Sequence, residues 1–445
     1  MVKIEIFSEE IIKPSSSDNL KLYKLSLLDQ LAPFFYVPVV LFYSAPDDQI
    51  DILKKLKKSL SETLAKFYPL AGRIHDDSYV EVFENDGVLF VEARVNVQLS
   101  EILETPEIGL VQKLLPLDSY GRKTGGNEGV RAMAVQLNVF ECGGIAIGIC
   151  ISHKIADGTT LSSFLKAWAE ITTSFSGGDR IDDHDGVKDI TDPFLDSASV
   201  FPPREIHVQS PRNMIKRGKI VTRRFVFDKS SLEKLKVKAA TDDCSPTRVE
   251  AVTALICRTA MNSSNGRSAE KSSRPSPSMV ISHVVNLRSR MDPPLPENSL
   301  GNIWRCAETQ IVEEESKKQE MHDLVVQMRK AIRKMDKDYV ERLRSEDGFV
   351  QAFKSLKEAS VLVSEGVVPF YKFSSWVRFP IYETDFGWGK PIWACITSVP
   401  IKDVVILMSN RFGDGIEAWV NLEVDDMTRF KRDEELLVFA SQASC

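Results

Sequence analysis

The stretch that most constrains the fold is Gly143–Ile151, GGIAIGICI, which is apolar from end to end. A run this short and this rich in β-branched residues reads as a strand covered on both faces. Past Thr159 and Thr160, helical spacing begins, with Leu161, Phe164, Leu165 and Trp168 on one stripe. A covered strand that runs into an amphipathic helix calls for a layered α/β core. Between the two lies Ser-His-Lys-Ile-Ala-Asp-Gly, residues 152–158. Turns held by rigid elements are where reacting side chains are commonly presented. An imidazole at His153 titrates near neutral pH and can act as a general base. The residues alone leave open a histidine that only satisfies local hydrogen bonds.

At 445 residues the chain exceeds one core, so two domains of roughly 200 residues each are expected. The net charge of −6 argues against nucleic acid or an anionic membrane as a partner. No apolar run approaches the length of a membrane span. The opening MVKIEIFSEE carries acidic residues where a signal peptide needs an apolar centre, so no secretion is expected. Seven scattered cysteines without a C-x-x-C pair fit a reducing compartment, and the cytosol is the expected location. Neither a zinc site nor a disulfide frame is expected. The six histidines are never three or four residues apart, which excludes the usual histidine metal spacing. There is no G-x-S-x-G, no G-x-G-x-x-G and no P-loop, so the corresponding hydrolase and nucleotide chemistries drop out.

Along the chain, Ile4–Ile12 reads as an edge strand and Val37–Tyr43 as a second strand. Leu53, Leu56, Leu60, Leu64 and Phe67 stripe a helix over Ile52–Phe67. Tyr79–Phe83 and Val88–Ala93 flank Asn85-Asp86-Gly87 and read as a hairpin. Glycine dominates 121–129. Periodicity then disappears from Ser174 to Arg217, which is long for a loop inside one domain and reads as an interdomain crossover. The expected division is therefore 1–195, a linker at 196–217, and 218–445. Thr247 with Glu250 forms a capping box for a helix through Ala260. Asn262–Ser278 is a serine-rich loop, and Glu313–Val363 a charged helical region. Val404–Met408 and Ile416–Val420 flank Phe412-Gly413-Asp414-Gly415 as a last hairpin. Strands and helices mix in both halves: α/β with mixed sheets.

His153-x-x-x-Asp157 is joined near the C-terminus by Asp385-Phe386-Gly387-Trp388-Gly389. Together they resemble the signature of the plant BAHD acyl-CoA-dependent acyltransferases, in the same order and at similar separation. Tyr68–Arg73 (YPLAGR), Asn286-Leu287-Arg288 and Gly413–Ala418 (GDGIEA) are similar to three further marks of that family. The likeness spans essentially the whole chain. Ile12–Ser16, Leu28-Asp29-Gln30 and Val285–Pro296 look most like the branch containing vinorine synthase and deacetylvindoline acetyltransferase.

The resemblance implies two chloramphenicol-acetyltransferase-like domains of similar size, each a mixed sheet flanked by helices, with a solvent channel between them. It implies no permanently bound cofactor and no metal. An acyl-CoA, acetyl-CoA by branch, would be the co-substrate, and a small hydroxylated acceptor such as an alkaloid the other partner. A monomer is expected. His153 becomes the base that deprotonates the acceptor. Asp157 turns away from it toward Arg288, and Asp385, Gly387 and Gly389 shape a structural loop. Ser374 and Trp376 match positions near the acceptor and the reacting carbonyl, with serine here where hydroxycinnamoyl-transferring relatives have threonine. Separately, the helix start at Ser245 and Thr247 could hold a coenzyme A phosphate through its amides or serve only as a cap.

Breaking a buried ion pair strands one charge at a cost of roughly 3–5 kcal/mol. A double-mutant cycle on Asp157 and Arg288 is therefore expected to show coupling above about 1 kcal/mol. Additive denaturation free energies would exclude the pairing.

Overall fold

The computed structural model describes residues 2–16, 21–75, 78–118, 129–175, 191–205, 220–264, 277–312, 320–350, 368–399 and 401–443. Its contacts divide into two units. The first comprises Met1–His207, Leu295–Ile303 and Phe379–Thr397, and the second Val208–Pro294, Trp304–Arg378 and Ser398–Cys445.

A six-stranded sheet forms the first unit, in the order Ile4–Ile12, Val88–Val95, Met133–Phe140, Ile145–Ser152, Tyr36–Tyr43 and Trp393–Cys395. One junction, Val88–Val95 with Met133–Phe140, is parallel, and the others are antiparallel. Ile145–Ser152 is buried at every position, as its unbroken apolar run predicts. A Cβ on Gly148 would lie 2.0 Å from the Leu114 carbonyl oxygen, so this strand needs a residue without a side chain where another backbone crosses it. Helices Gln49–Lys66 and Gly158–Ser174 pack on each other. Trp168 Nε1 and Thr172 Oγ1 both donate to Ser59 Oγ, at 3.0 and 2.8 Å, and Phe67 meets Phe164 edge-on.

The expected hairpin at 79–93 does not form. Tyr79–Val82 joins a separate four-stranded antiparallel sheet, between Lys21–Lys24 and Arg73–His75, with Val130–Arg131 beyond. Val88–Val95 enters the six-stranded sheet instead. Asp86 explains the parting: its carboxylate accepts from Phe83 N at 2.9 Å and from Arg73 Nε at 3.2 Å. Gly87 then passes so close to Ile12 that a Cβ would meet its carbonyl oxygen at 2.4 Å. The Asn-Asp-Gly triplet is a junction between two sheets.

The second unit is a seven-stranded sheet in the order Trp304–Val312, Pro277–Asn286, Phe370–Ser375, Val404–Ser409, Ile416–Glu423, Ile220–Phe227 and Ser441–Ala443. Phe370–Ser375 lies parallel to both its neighbours. The hairpin around 412–415 is present, and Asn410 Nδ2 ties it to Asp414 Oδ1 at 2.9 Å. Phe225, Phe227, Leu255, Ile281, Phe373 and Leu407 belong to the core that this sheet builds with helices including Arg248–Ser264.

The linear division expected at 196–217 is not the division of the contacts. Residues 196–205 already fold into the first unit: Phe201 is buried, and its carbonyl accepts from Leu27 N at 2.9 Å. The segments 295–303 and 379–397, expected within 218–445, also belong there. Trp393–Cys395 completes the sheet edge against Val40–Phe42, and Leu300 N bonds the Phe194 carbonyl. The glycine-rich 121–128, the serine-rich 265–276, residues 313–319 and 351–363 of the charged region, and 176–190 and 206–217 of the crossover lie outside the described residues.

Replacing Gly148 by alanine is expected to lower stability by about 1–3 kcal/mol, the usual cost of overpacking. Urea denaturation measures it.

Candidate active site

Ser152 ends the buried strand, and the backbone amide of His153 is caught by the Phe35 carbonyl at 2.9 Å. Asp157 starts the following helix as its N-cap, with Oδ1 accepting Thr160 N at 2.8 Å. Its Oδ2 accepts Ile303 N at 3.1 Å. Both oxygens of Asp157 therefore hold backbone, which makes it a structural residue of the turn.

His153 Nδ1 lies 3.0 Å from Asn302 Oδ1, and the Phe35 ring meets the imidazole edge-on at 5.3 Å. The amide of Asn302 is not free to flip. Its Nδ2 donates to the His153 carbonyl at 2.6 Å and to Asp29 Oδ1 at 3.0 Å, two groups that only accept. Oδ1 must then face the ring. An acceptor opposite Nδ1 makes Nδ1 the protonated nitrogen of the neutral ring, and the lone pair falls on Nε2. A ring in that form can accept a proton at Nε2, and asparagine stands beside it as in cysteine–histidine–asparagine sites.

Asn302 and Asp29 are the residues that sequence reasoning missed as site members. Leu28-Asp29-Gln30 marked a branch resemblance only, and nothing in the spacing links His153 to a residue 149 positions away. In the structure the backbone before Asn302 is fixed at Gly301, whose φ is +124°. Thr160 Oγ1 clamps that glycine, donating to its carbonyl at 3.1 Å and accepting from its amide at 3.2 Å.

Asp385 takes no part in this cluster. Its Oδ1 accepts from the amides of Gly387 and Gly389 at 2.8 and 2.9 Å, and both glycines have φ above +100°. Phe386 is fully buried edge-on against Trp168. The Asp385 carbonyl accepts from Thr173, near the far end of the helix, about 24 Å along the axis from Asp157. The loop is thus closed on itself by Asp385 and tied to the helix end by Thr173.

The other candidates lie in the second unit. Arg288 is completely buried, with its amide and guanidinium both on Asn286 Oδ1. Trp376 Nε1 donates to Ser374 Oγ at 3.2 Å, which leaves the Ser374 hydroxyl proton to donate elsewhere, as an acceptor or oxyanion contact requires. Thr247 forms the capping box, its amide on Glu250 Oε2 at 2.7 Å and its hydroxyl oxygen accepting Glu250 N at 3.2 Å. Burial raises the Glu250 carboxyl, but Arg329 and the Thr247 amide outweigh it and hold the group below its ordinary value. Arg329 also takes the Ser245 carbonyl. The Glu250 carboxylate thus occupies the Thr247 amide, and Thr247 caps the helix, while Ser245 contributes only its carbonyl to Arg329. Cys150 is no nucleophile, since burial pushes its thiol up to about 12. Among the described residues no group of histidine, cysteine and carboxylates could hold a metal, and no helix is long and apolar enough to cross a membrane.

The profile of the Transferase family matches residues 2–437. Stemmadenine O-acetyltransferase of Catharanthus roseus is 37% identical over 97% of both chains, and epi-neemfruitin B synthase of Melia azedarach 38% over 99% of both. The crystal structure of vinorine synthase superposes with a TM-score of 0.80, at 35% identity, covering 99% of this chain and all of that one. The chain belongs to the BAHD acyltransferase family. As a BAHD enzyme it is an acyl-CoA-dependent transferase, and its mixed two-unit α/β fold is that of vinorine synthase. The expected fold class and activity class both stand.

Asp385→Asn keeps an acceptor at the BAHD loop and is expected to be near wild type in stability. Asp385→Ala loses two hydrogen bonds and is expected to cost about 1–3 kcal/mol by thermal or urea unfolding.

Proposed function

We propose that the protein transfers an acetyl group from acetyl-CoA to a hydroxyl of an alkaloid or similar specialised metabolite. The observation that carries this reading is the imidazole of His153, fixed by Asn302 with its lone pair on Nε2. The names of the relatives support the acetyl donor, since they include O-acetyltransferases of alkaloid and limonoid metabolism. Acetyl-CoA is a co-substrate, and the reaction needs no resident cofactor.

Nε2 takes the acceptor proton as the hydroxyl oxygen attacks the thioester carbonyl. The tetrahedral adduct collapses, the C–S bond breaks, and the imidazolium returns the proton to the departing thiolate. No acyl-enzyme forms. Holding both reactants in register supplies several kcal/mol of the acceleration, by the general magnitude for oriented reactants. On this reading Asp157 and Arg288 brace the turn, and Ser374 with Trp376 contacts the acceptor or the developing oxyanion. The scattered cysteines without a C-x-x-C pair support a cytosolic location, and the protein acts as a monomer on this reading.

Screening acetyl-, malonyl-, isobutyryl- and coumaroyl-CoA against pooled alkaloids and sugar esters, with thiol release as readout, is expected to select acetyl-CoA and an alkaloid-like alcohol. His153→Ala is expected to lower that turnover by about 10²–10⁴-fold, the contribution of a general base. Unchanged turnover would refute the mechanism.

A further inference from the structure

Behind the base lies a carboxylate that the mechanism has not used. Asp29 is completely buried, yet four donors converge on it. Ser26 N and Ser26 Oγ reach Oδ2 at 3.0 and 2.6 Å, while Asn302 N and Nδ2 reach Oδ1 at 2.6 and 3.0 Å. Four donors match the acceptor sites of an ionised carboxylate, three of them N–H groups that can only donate. Burial dominates and leaves the carboxyl raised above its ordinary value, while these same bonds pull it part of the way back.

We propose that Asp29 is a positioning residue for the base, acting through the Asn302 amide to hold His153 as the Nδ1–H tautomer and to stabilise its imidazolium. The proposal rests on the acyl-transfer reading of His153. The chain of bonds runs from Asp29 Oδ1 through Asn302 Nδ2–H, then from Asn302 Oδ1 to His153 Nδ1–H. An amide hydrogen-bonded to an anion at nitrogen becomes a stronger acceptor at oxygen, because such bonds polarise one another in a low-dielectric interior. When Nε2 takes the acceptor proton, the positive ring finds that acceptor already in place. No proton moves along the chain. Gly301 keeps the geometry tight: a Cβ there would stand 3.2–3.4 Å from Ser197 Oγ and both Asp29 oxygens.

Among the described residues, the titratable groups around the pair include Tyr23, Lys154, Asp157 and Asp196. Burial and the Asp29 charge raise the Tyr23 phenol, and Asp196 acts on that phenol too. Lys154 Nζ donates to the Gln30 carbonyl at 2.8 Å, and Asp157 holds Ile303 N beside Asn302. All four are retained in the variants below, so differences between those variants report Asp29 and Asn302.

The test is ¹⁵N-histidine labelling, with the His153 signals identified as those missing from His153→Ala. The wild-type protein is expected to show neutral His153 protonated on Nδ1. Asn302→Ala is expected to move the ring toward the Nε2–H form that free imidazole side chains prefer. Asp29→Asn is expected to lower the His153 titration midpoint by about one unit, the low end for a nearby opposite charge. The exchanged pair Asp29→Asn with Asn302→Asp places the carboxylate on Nδ1 itself and is expected to bring the midpoint back to wild type or above. It also serves if Asp29→Asn alone does not fold. An Nε2–H ring in the wild type overturns the proposal without any variant. An unmoved midpoint in Asp29→Asn, or no recovery in the exchanged pair, overturns it as well. Either result combined with loss of turnover in His153→Ala rejects the relay and leaves the acyl-transfer reading standing.

Discussion

The site depends on one amide that cannot turn over. Asn302 has its nitrogen end committed to a carboxylate and a carbonyl, so its oxygen has a single place to go. In the proposed relay that places hydrogen on Nδ1 of His153, a choice that decides whether an imidazole is a base or a donor toward substrate. The arrangement also explains why a charge can be buried in this wall. Desolvation penalises an ion that is left unpaired, and Asp29 has a donor for each available lone pair.

Everything around the amide serves to keep it where it is. The buried strand ends one residue before the histidine, and the helix after it is pinned at both ends. At the near end, Asp157 caps the helix and catches Ile303, the neighbour of Asn302. At the far end, Thr173 bonds the Asp385 carbonyl while Phe386 wedges against Trp168. Asp157 and the Asp385 loop, separated by more than half the chain, thus act on the two ends of one helix.

Much of this was legible in the order of the residues. The strand, turn and helix around His153 follow from local periodicity, and the family follows once the motifs are recognised. Asp86 was misread because Asn-Asp-Gly favours tight hairpins, whereas here its side chain is spent on parting two sheets. Asn302 and Asp29 were out of reach for a different reason. Their meaning lies in a contact across 273 positions, and no short-range spacing encodes it. The same holds for the domain boundary: a strand of three residues, Trp393–Cys395, has too little pattern to announce which sheet it will join.

The interleaving of the chain carries a consequence for how the protein is made. A ribosome delivers the first 207 residues long before Leu295–Ile303 and Phe379–Thr397 appear. During that interval the nascent first unit lacks both its last edge strand and the asparagine that orders the histidine. Its sheet edge along Tyr36–Tyr43 waits, apolar and unpaired, for some 350 further residues of synthesis, the kind of exposure that slow, non-local folding brings. The first unit is therefore completed only after residue 397 has been made, and His153 gains its asparagine only after Val208–Pro294 of the second unit has been synthesised.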